Sequence, residues 1–199
     1  MEVEVKIRLP DQAAHAKVLQ LLAAGRTASY AQENYFFDGT QRELEGQRAV
    51  LRLRFYNQDE KATITIKGKQ VLAEGIGRAT EVEEQVADVQ AARQWLTQPD
   101  AMLTASPLLQ SMKDKLGLRS SLVCLGGFRN QREVVGWEGE VLELDQTSYE
   151  WGSLFEIECE TVHPEAVRDK LHSFLAAHGV PFSHSQCSKF ANFVNRTLL

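Results

Sequence analysis

Residues 1–9 read MEVEVKIRL, and everything else in the chain is interpreted outward from this stretch. Val3, Val5, Ile7 and Leu9 alternate with Glu2, Glu4, Lys6 and Arg8, the period-two pattern of a β-strand with one apolar and one charged face. A strand face that only meets water needs no order in its charges. This one carries two acids and then two bases along a single line.

The same ordering recurs. In LRLRF (51–55), Arg52 and Arg54 share a face, set against Leu51, Leu53 and Phe55. In ITIKGK (64–69), Lys67 and Lys69 oppose Ile64 and Ile66. TEVEE (80–84) places Glu81 with Glu83, VLELD (141–145) places Glu143 with Asp145, and FEIECE (155–160) lines up Glu156, Glu158 and Glu160. Same-face neighbours on a strand lie about 7 Å apart. Two like charges at that separation repel by about 2.4 kcal/mol at an effective dielectric of about 20, and by about 0.6 kcal/mol in water. If the strands close into a barrel with these charges inside, something bound must offset them. The acids call for a hard divalent cation with oxygen ligands, Mg²⁺ or Mn²⁺. The bases call for a compact polyanion, and the forked donors of Arg suit phosphate oxygens. A cation site beside a polyphosphate site is the equipment of phosphoryl transfer.

Composition narrows the partners. A chain of 199 residues, 43% hydrophobic and 25% charged, suits one soluble domain, 1–199, with a substantial core. Its net charge of −5 supplies no global field to attract nucleic acid or anionic membrane, so any anion site must be built locally. No apolar run is long enough to cross a bilayer, and the early acids argue against a cleaved targeting peptide. Cys124, Cys159 and Cys187 are odd in number and form no CxxC, which suits a reducing compartment and a cytoplasmic location.

Residues 11–25 read as a helix with Val18, Leu21 and Leu22 on one face and Gly25 as its stop. Extended runs follow at 32–38, 48–56, 61–69 and 77–86, then a mostly helical middle in which Ser106 and Pro107 open a helix. Strand patterns resume over 120–137, 140–146 and 154–160, with a turn at Gly139; helices at 163–179 and from Ser188 onward close the chain. The expected fold is α+β, built on an antiparallel sheet or barrel of about eight strands. Other sites find little support. The five histidines show no HExxH spacing, no GxxxxGK[ST] is present, Gly126 and Gly127 mark a bulge or kink, and Trp95, Trp137 and Trp151 serve packing.

EVEVK (2–6) resembles the ExExK signature of the CYTH superfamily, the triphosphate tunnel metalloenzymes. LRLRF, TIKGK, RATEVEE, GGFRNQREV, LELDQTSYEWG, FEIECE and SKFANF resemble, in order, further blocks of its small plant-type members, which cleave inorganic triphosphate. The resemblance implies a closed eight-stranded antiparallel barrel with helices outside, acting on inorganic triphosphate with one or two Mg²⁺ or Mn²⁺ ions. It implies that Lys6, Arg52, Arg54, Lys67 and Arg132, with Lys189 from the C-terminal helix, grip phosphate oxygens, Lys6 and Lys67 taking part in catalysis. Glu2, Glu4, Asp145, Glu156 and Glu158 become the metal ligands, Glu2 and Glu4 serving catalysis as well. Glu81 and Glu83 support the bases or a second metal, Glu143 is a further supporting acid, Arg8 and Arg78 meet substrate at a tunnel mouth, and Arg129 competes with Arg132 for its place. A monomer without nucleic-acid or membrane partners is expected. A thiamine triphosphatase, another organic triphosphate hydrolase and a polyphosphate-binding module remain open as alternatives.

Overall fold

The opening alternation folds as its period requires. Strand β1 spans Glu2–Leu9, and Val5, Ile7 and Leu9 on its apolar side are at most 1% exposed. Burying each such side chain contributes about 1.5–3 kcal/mol. The computed structural model describes residues Met1–Leu199. After β1 come α1 (Gln12–Leu21), β2 (Arg26–Gly39), α2 (Glu43–Gly46), β3 (Val50–Tyr56), β4 (Lys61–Lys67), β5 (Val71–Ala73), β6 (Ile76–Ala79) and β7 (Glu81–Gln85). Three short helices follow, α3 (Val89–Gln94), α4 (Asp100–Ala105) and α5 (Pro107–Met112). The chain ends with β8 (Leu122–Trp137), β9 (Glu140–Tyr149), β10 (Gly152–Glu160), α6 (Pro164–Ala177), β11 (Ser183–His184) and α7 (Lys189–Asn195). No helix is long and apolar enough to cross a membrane.

This is an α+β fold of antiparallel strands with helices on their apolar faces. The chain divides into two units: Met1–Tyr30 with Val71–Arg78 and Arg129–Leu199, and Ala31–Gln70 with Ala79–Phe128. Strands β2 and β8 contribute residues to each.

In the first unit the strand order is β5-β6-β1-β10-β9-β8, with β11 beside β1. The apolar side of these strands, including Val5, Ile7, Leu142, Leu144 and Ile157, packs against Val18 of α1 and Val167, Leu171 and Leu175 of α6. Asp11 caps α1 by accepting from the Ala14 N–H at 2.8 Å. Leu21 is 38% exposed rather than buried, because Ala14, His15 and Val18 form the inward stripe of the helix. His15 is buried and packs on Phe155.

In the second unit the order is β2-β3-β4-β7. Leu51, Leu53, Phe55, Ile64 and Ile66 pack against Ala92, Trp95, Met102 and Leu109 of the α3–α5 segment. Ser106 caps α5 through the Leu109 N–H at 3.1 Å, as its position before Pro107 implies.

Three expectations change. Eleven strands form instead of about eight. The run 77–86 is two strands broken at Thr80, β6 pairing with β5 and β7 with β4; Gly68 N–H donates to Thr80 O there at 2.8 Å. Lys69 lies beyond the end of β4 and is not on the Lys67 face of a strand. In neither unit does hydrogen bonding return to its first strand, so the pairing is that of an open antiparallel order.

The glycine pair in β8 behaves as a backbone irregularity. Gly126 has φ +92°, and a Cβ on Gly127 would lie 1.7 Å from Asn34 O. Gly127→Ala is expected to lower stability by roughly 3 kcal/mol, since backbone must move to admit it. Thermal unfolding checks this, and an unchanged midpoint would contradict the close approach.

Candidate active site

Strand pairing aligns the charged faces in rows. In the first unit Lys6 lies opposite Glu158, and Arg8 opposite Glu156. On the next strand Glu156 meets Asp145 and Glu158 meets Glu143, and Asp145 in turn faces Arg132. Alternation alone puts Glu2, Glu4, Lys6 and Arg8 on one side of β1, and register brings them beside the acids of β9 and β10. Glu160 continues this row but is exposed.

Three bases dominate the cluster. Lys189, the first residue of α7, reaches Asp145 at 2.8 Å, Glu156 at 3.2 Å and Glu158 at 2.6 Å. Arg132 grips Asp145 through Nε and Nη2 at 2.8 and 2.6 Å, reaches Glu158 at 2.9 Å and also pairs with Glu143. Lys6 pairs with Glu158 and lies 3.1 Å from Glu4. Burial opposes the charge of each base, yet the acids win: Asp145, Glu158 and Glu156 raise Lys189, Glu158 and Glu4 raise Lys6, and Asp145 raises Arg132 above the ordinary range. Burial likewise works against ionised Asp145 and Glu158, but Arg132 and Lys189 hold the Asp145 carboxyl, and Lys189, Lys6 and Arg132 the Glu158 carboxyl, below the usual carboxylate range. Lys6, Arg132, Lys189, Asp145 and Glu158 are therefore charged at neutral pH.

Arg132, and not Arg129, lies in this charged row. Arg129 faces Ser148 on the opposite side of β8 and is exposed. Arg8 is buried, donates to Leu199 O and lies 3.2 Å from Glu156. Arg78 pairs with Glu165 at 3.1 Å near the start of α6.

The second unit carries a basic face. Arg52 faces Thr65, Arg54 faces Thr63, and Lys67 faces Val50 on one side and Glu81 on the other. Arg52 donates to Thr65 Oγ1 at 3.0 Å, and that hydroxyl donates to Glu83 at 3.0 Å. Lys67 holds Glu81 at 2.5 Å, while Arg52 is 3.7 Å from Glu81. Burial first, and Arg54 second, pull Arg52 down to about 10. Its Nε is buried with no hydrogen-bond partner. A guanidinium in this state stays charged at neutral pH and is stabilised by an anion.

Oxygen-only donors suit a hard divalent cation. Glu4, Asp145, Glu156 and Glu158 are buried, and Glu156 Oε2 accepts no hydrogen bond. These residues fit such an ion chemically. No three His, Cys, Asp or Glu side chains stand grouped as a ready cation cage, because Lys6, Arg132 and Lys189 occupy the acids.

Sequence reasoning missed Ser185, which donates to Glu156 at 2.6 Å from the segment after α6; no local pattern marked it. It also missed Thr65 and Asn34, although alternation in KATITIK and QENYFFD places them on the charged faces. Tyr149 and Trp151 hold α7: Tyr149 donates to Lys189 O at 3.0 Å and stacks on Trp151 at 5.0 Å, whose Nε1 donates to Thr197 O at 3.1 Å.

The chain is similar to several known proteins. HpAC1 from Hippeastrum, an adenylyl cyclase candidate described as having a dominant triphosphatase activity, is 38% identical with a TM-score of 0.96, over 100% of this chain and 98% of that one. An adenylate cyclase candidate from Bacillus halodurans is 22% identical with a TM-score of 0.70, covering 97% of each chain. PH1819 from Pyrococcus horikoshii is 17% identical with a TM-score of 0.64, over 97% of this chain and 99% of that one. The last two likenesses speak to the fold alone. A comparison with curated proteins found no match. The family model for the CYTH domain matches residues 1–185, and the chain belongs to the CYTH family.

Proposed function

We propose that this chain hydrolyses inorganic triphosphate to diphosphate and phosphate, using a divalent cation. The observation that carries the reading is the half-buried Arg52–Arg54 pair, two like charges on one face with an unpartnered buried donor at Arg52 Nε, which a polyanion would satisfy. Membership of the CYTH family and the dominant triphosphatase activity of the Hippeastrum protein support it.

Glu2, Glu4, Asp145, Glu156 and Glu158 would hold Mg²⁺ or Mn²⁺. When bound, the cation would neutralise phosphate charge and help orient the substrate. Arg52, Arg54, Lys67, Lys6, Arg132 and Lys189 bind the phosphate chain, with Arg8 and Arg78 at its ends, and Glu81, Glu83 and Glu143 hold the bases in place. Water attacks a terminal phosphorus as the bridging P–O bond breaks, and the bases, Lys6 and Lys67 among them, offset the charge gathering on the leaving diphosphate. A carboxylate among Glu2 and Glu4 takes the proton lost by the water. This assignment includes a charged tunnel within a single domain, 1–199, as the family resemblance implies, acting as a cytoplasmic monomer.

The test is phosphate release from inorganic triphosphate, diphosphate, thiamine triphosphate and ATP, each with Mg²⁺, with Mn²⁺ and with EDTA. Release from inorganic triphosphate is expected to exceed the others at least tenfold, by order of magnitude, and EDTA is expected to abolish it. Preference for thiamine triphosphate would move the reading to an organic triphosphate hydrolase. Binding without release would make the chain a polyphosphate-binding module.

A further inference from the structure

The second unit contains a buried polar group that the charged rows do not account for. Asn34 of β2 lies directly opposite Arg54 of β3, and two pairs along from the Phe36–Arg52 pair. It is 1% exposed. Its Oδ1 accepts from Arg54 Nε at 2.7 Å. A guanidinium can only donate, so this contact fixes which end of the amide is oxygen. The other end, Nδ2, is therefore an N–H donor, and it is buried with no hydrogen-bond partner.

Folded proteins leave few such donors unpaired, since each costs the desolvation of a polar group with nothing in return. Here the unpaired donor stands beside the half-buried Arg52–Arg54 pair, where Arg52 Nε is buried and unpartnered as well. The chemistry of the side chain at this position is informative. An aspartate would accept from Arg54 equally well but would neutralise it. An asparagine orients Arg54 while leaving its positive charge intact, and it adds a neutral donor to the same face.

We propose that Asn34 is a substrate-binding residue whose Nδ2–H donates to a phosphate oxygen of the triphosphate held by Arg54. The proposal rests on the triphosphate reading above and adds to it a neutral donor on the basic face. Asn34 thus has two roles that can be separated: positioning Arg54 through Oδ1, and binding phosphate through Nδ2.

Affinity for imidotriphosphate, the nitrogen-bridged analogue, measured by calorimetry with Mg²⁺, separates them. The variants are Asn34→Ala, Arg54→Ala, the double variant and Arg52→Ala, with thermal unfolding as a check on folding. Asn34→Ala is expected to weaken binding roughly tenfold, the size of one lost hydrogen bond to an ionised acceptor. It is also expected to weaken binding severalfold in the Arg54→Ala background, since a direct contact survives the loss of its neighbour. An effect that vanishes in that background would overturn the proposal and leave Asn34 as a positioning residue only. Unchanged affinity for Asn34→Ala, while Arg52→Ala binds weakly, would overturn the proposal but not the triphosphate reading; unchanged affinity in both would overturn the two together. Asn34→Asp keeps the acceptor for Arg54 and serves if the alanine variant does not fold. It is expected to bind more weakly than the parent by over tenfold, because a carboxylate repels phosphate, and parent-like binding would overturn the proposal.

Discussion

Arg52→Ala is expected to raise KM for inorganic triphosphate roughly a hundredfold, about 2.7 kcal/mol of lost binding, while leaving thermal stability close to that of the parent. The two halves of this result belong together. Arg52 is half-buried beside Arg54, which disfavours its charge, and its Nε satisfies no acceptor. Removing it relieves like-charge repulsion at the same time as it removes a hydrogen bond to Thr65 and an ion pair with Glu81. A structural arginine would show the opposite signature, with lost stability and an unchanged KM. Steady-state kinetics and thermal unfolding on one preparation distinguish them. Arg52→Lys is expected to recover only part of the affinity, because an ammonium lacks the planar fork that matches two phosphate oxygens.

Lys189→Met is expected to lower stability in EDTA by roughly 3 kcal/mol, about 8 °C in melting temperature for a chain of this size, and to regain much of it in millimolar Mg²⁺. Lys189 lies within 3.2 Å of three acids, Asp145, Glu156 and Glu158. Removing its charge leaves carboxylates that Arg132 and Lys6 only partly offset, and a divalent cation is the natural replacement. The parent should respond to Mg²⁺ less, since its ammonium already occupies the acids. Melting curves of both proteins across a Mg²⁺ titration check this, and an equal response in the two would show that Lys189 and the cation do not compete for the same carboxylates. Turnover should fall as well, because the same side chain is assigned to phosphate.

Much of the site was legible from alternation. A strand sends successive side chains to opposite faces whatever surrounds it, so Glu2, Glu4 and Lys6 share a side of β1, Arg52 and Arg54 share a side of β3, and Glu156 and Glu158 share a side of β10. The helix starts at Asp11, Ser106 and Ser188 were equally local, since each side-chain oxygen accepts from a backbone N–H three residues on. Parity failed where the backbone was irregular. Gly126, with φ +92°, interrupts the count along β8, and only the register opposite β9 selects Arg132 over Arg129. The run 77–86 looked like one strand because its residues suit one, yet its halves pair with different neighbours.

The sequence by itself determined which residues share a face of each strand, where the helices begin, and that unusual numbers of like charges line up at two-residue spacing. These follow from short-range geometry, which depends on a residue and its nearest neighbours along the chain. Only the tertiary structure decided which acid meets which base: Lys189 with Asp145, Glu156 and Glu158, Ser185 with Glu156, and Asn34 with Arg54. Such pairings join positions 20 to 44 residues apart or belong to different strands, and they are set by strand register and helix packing, which no local pattern encodes.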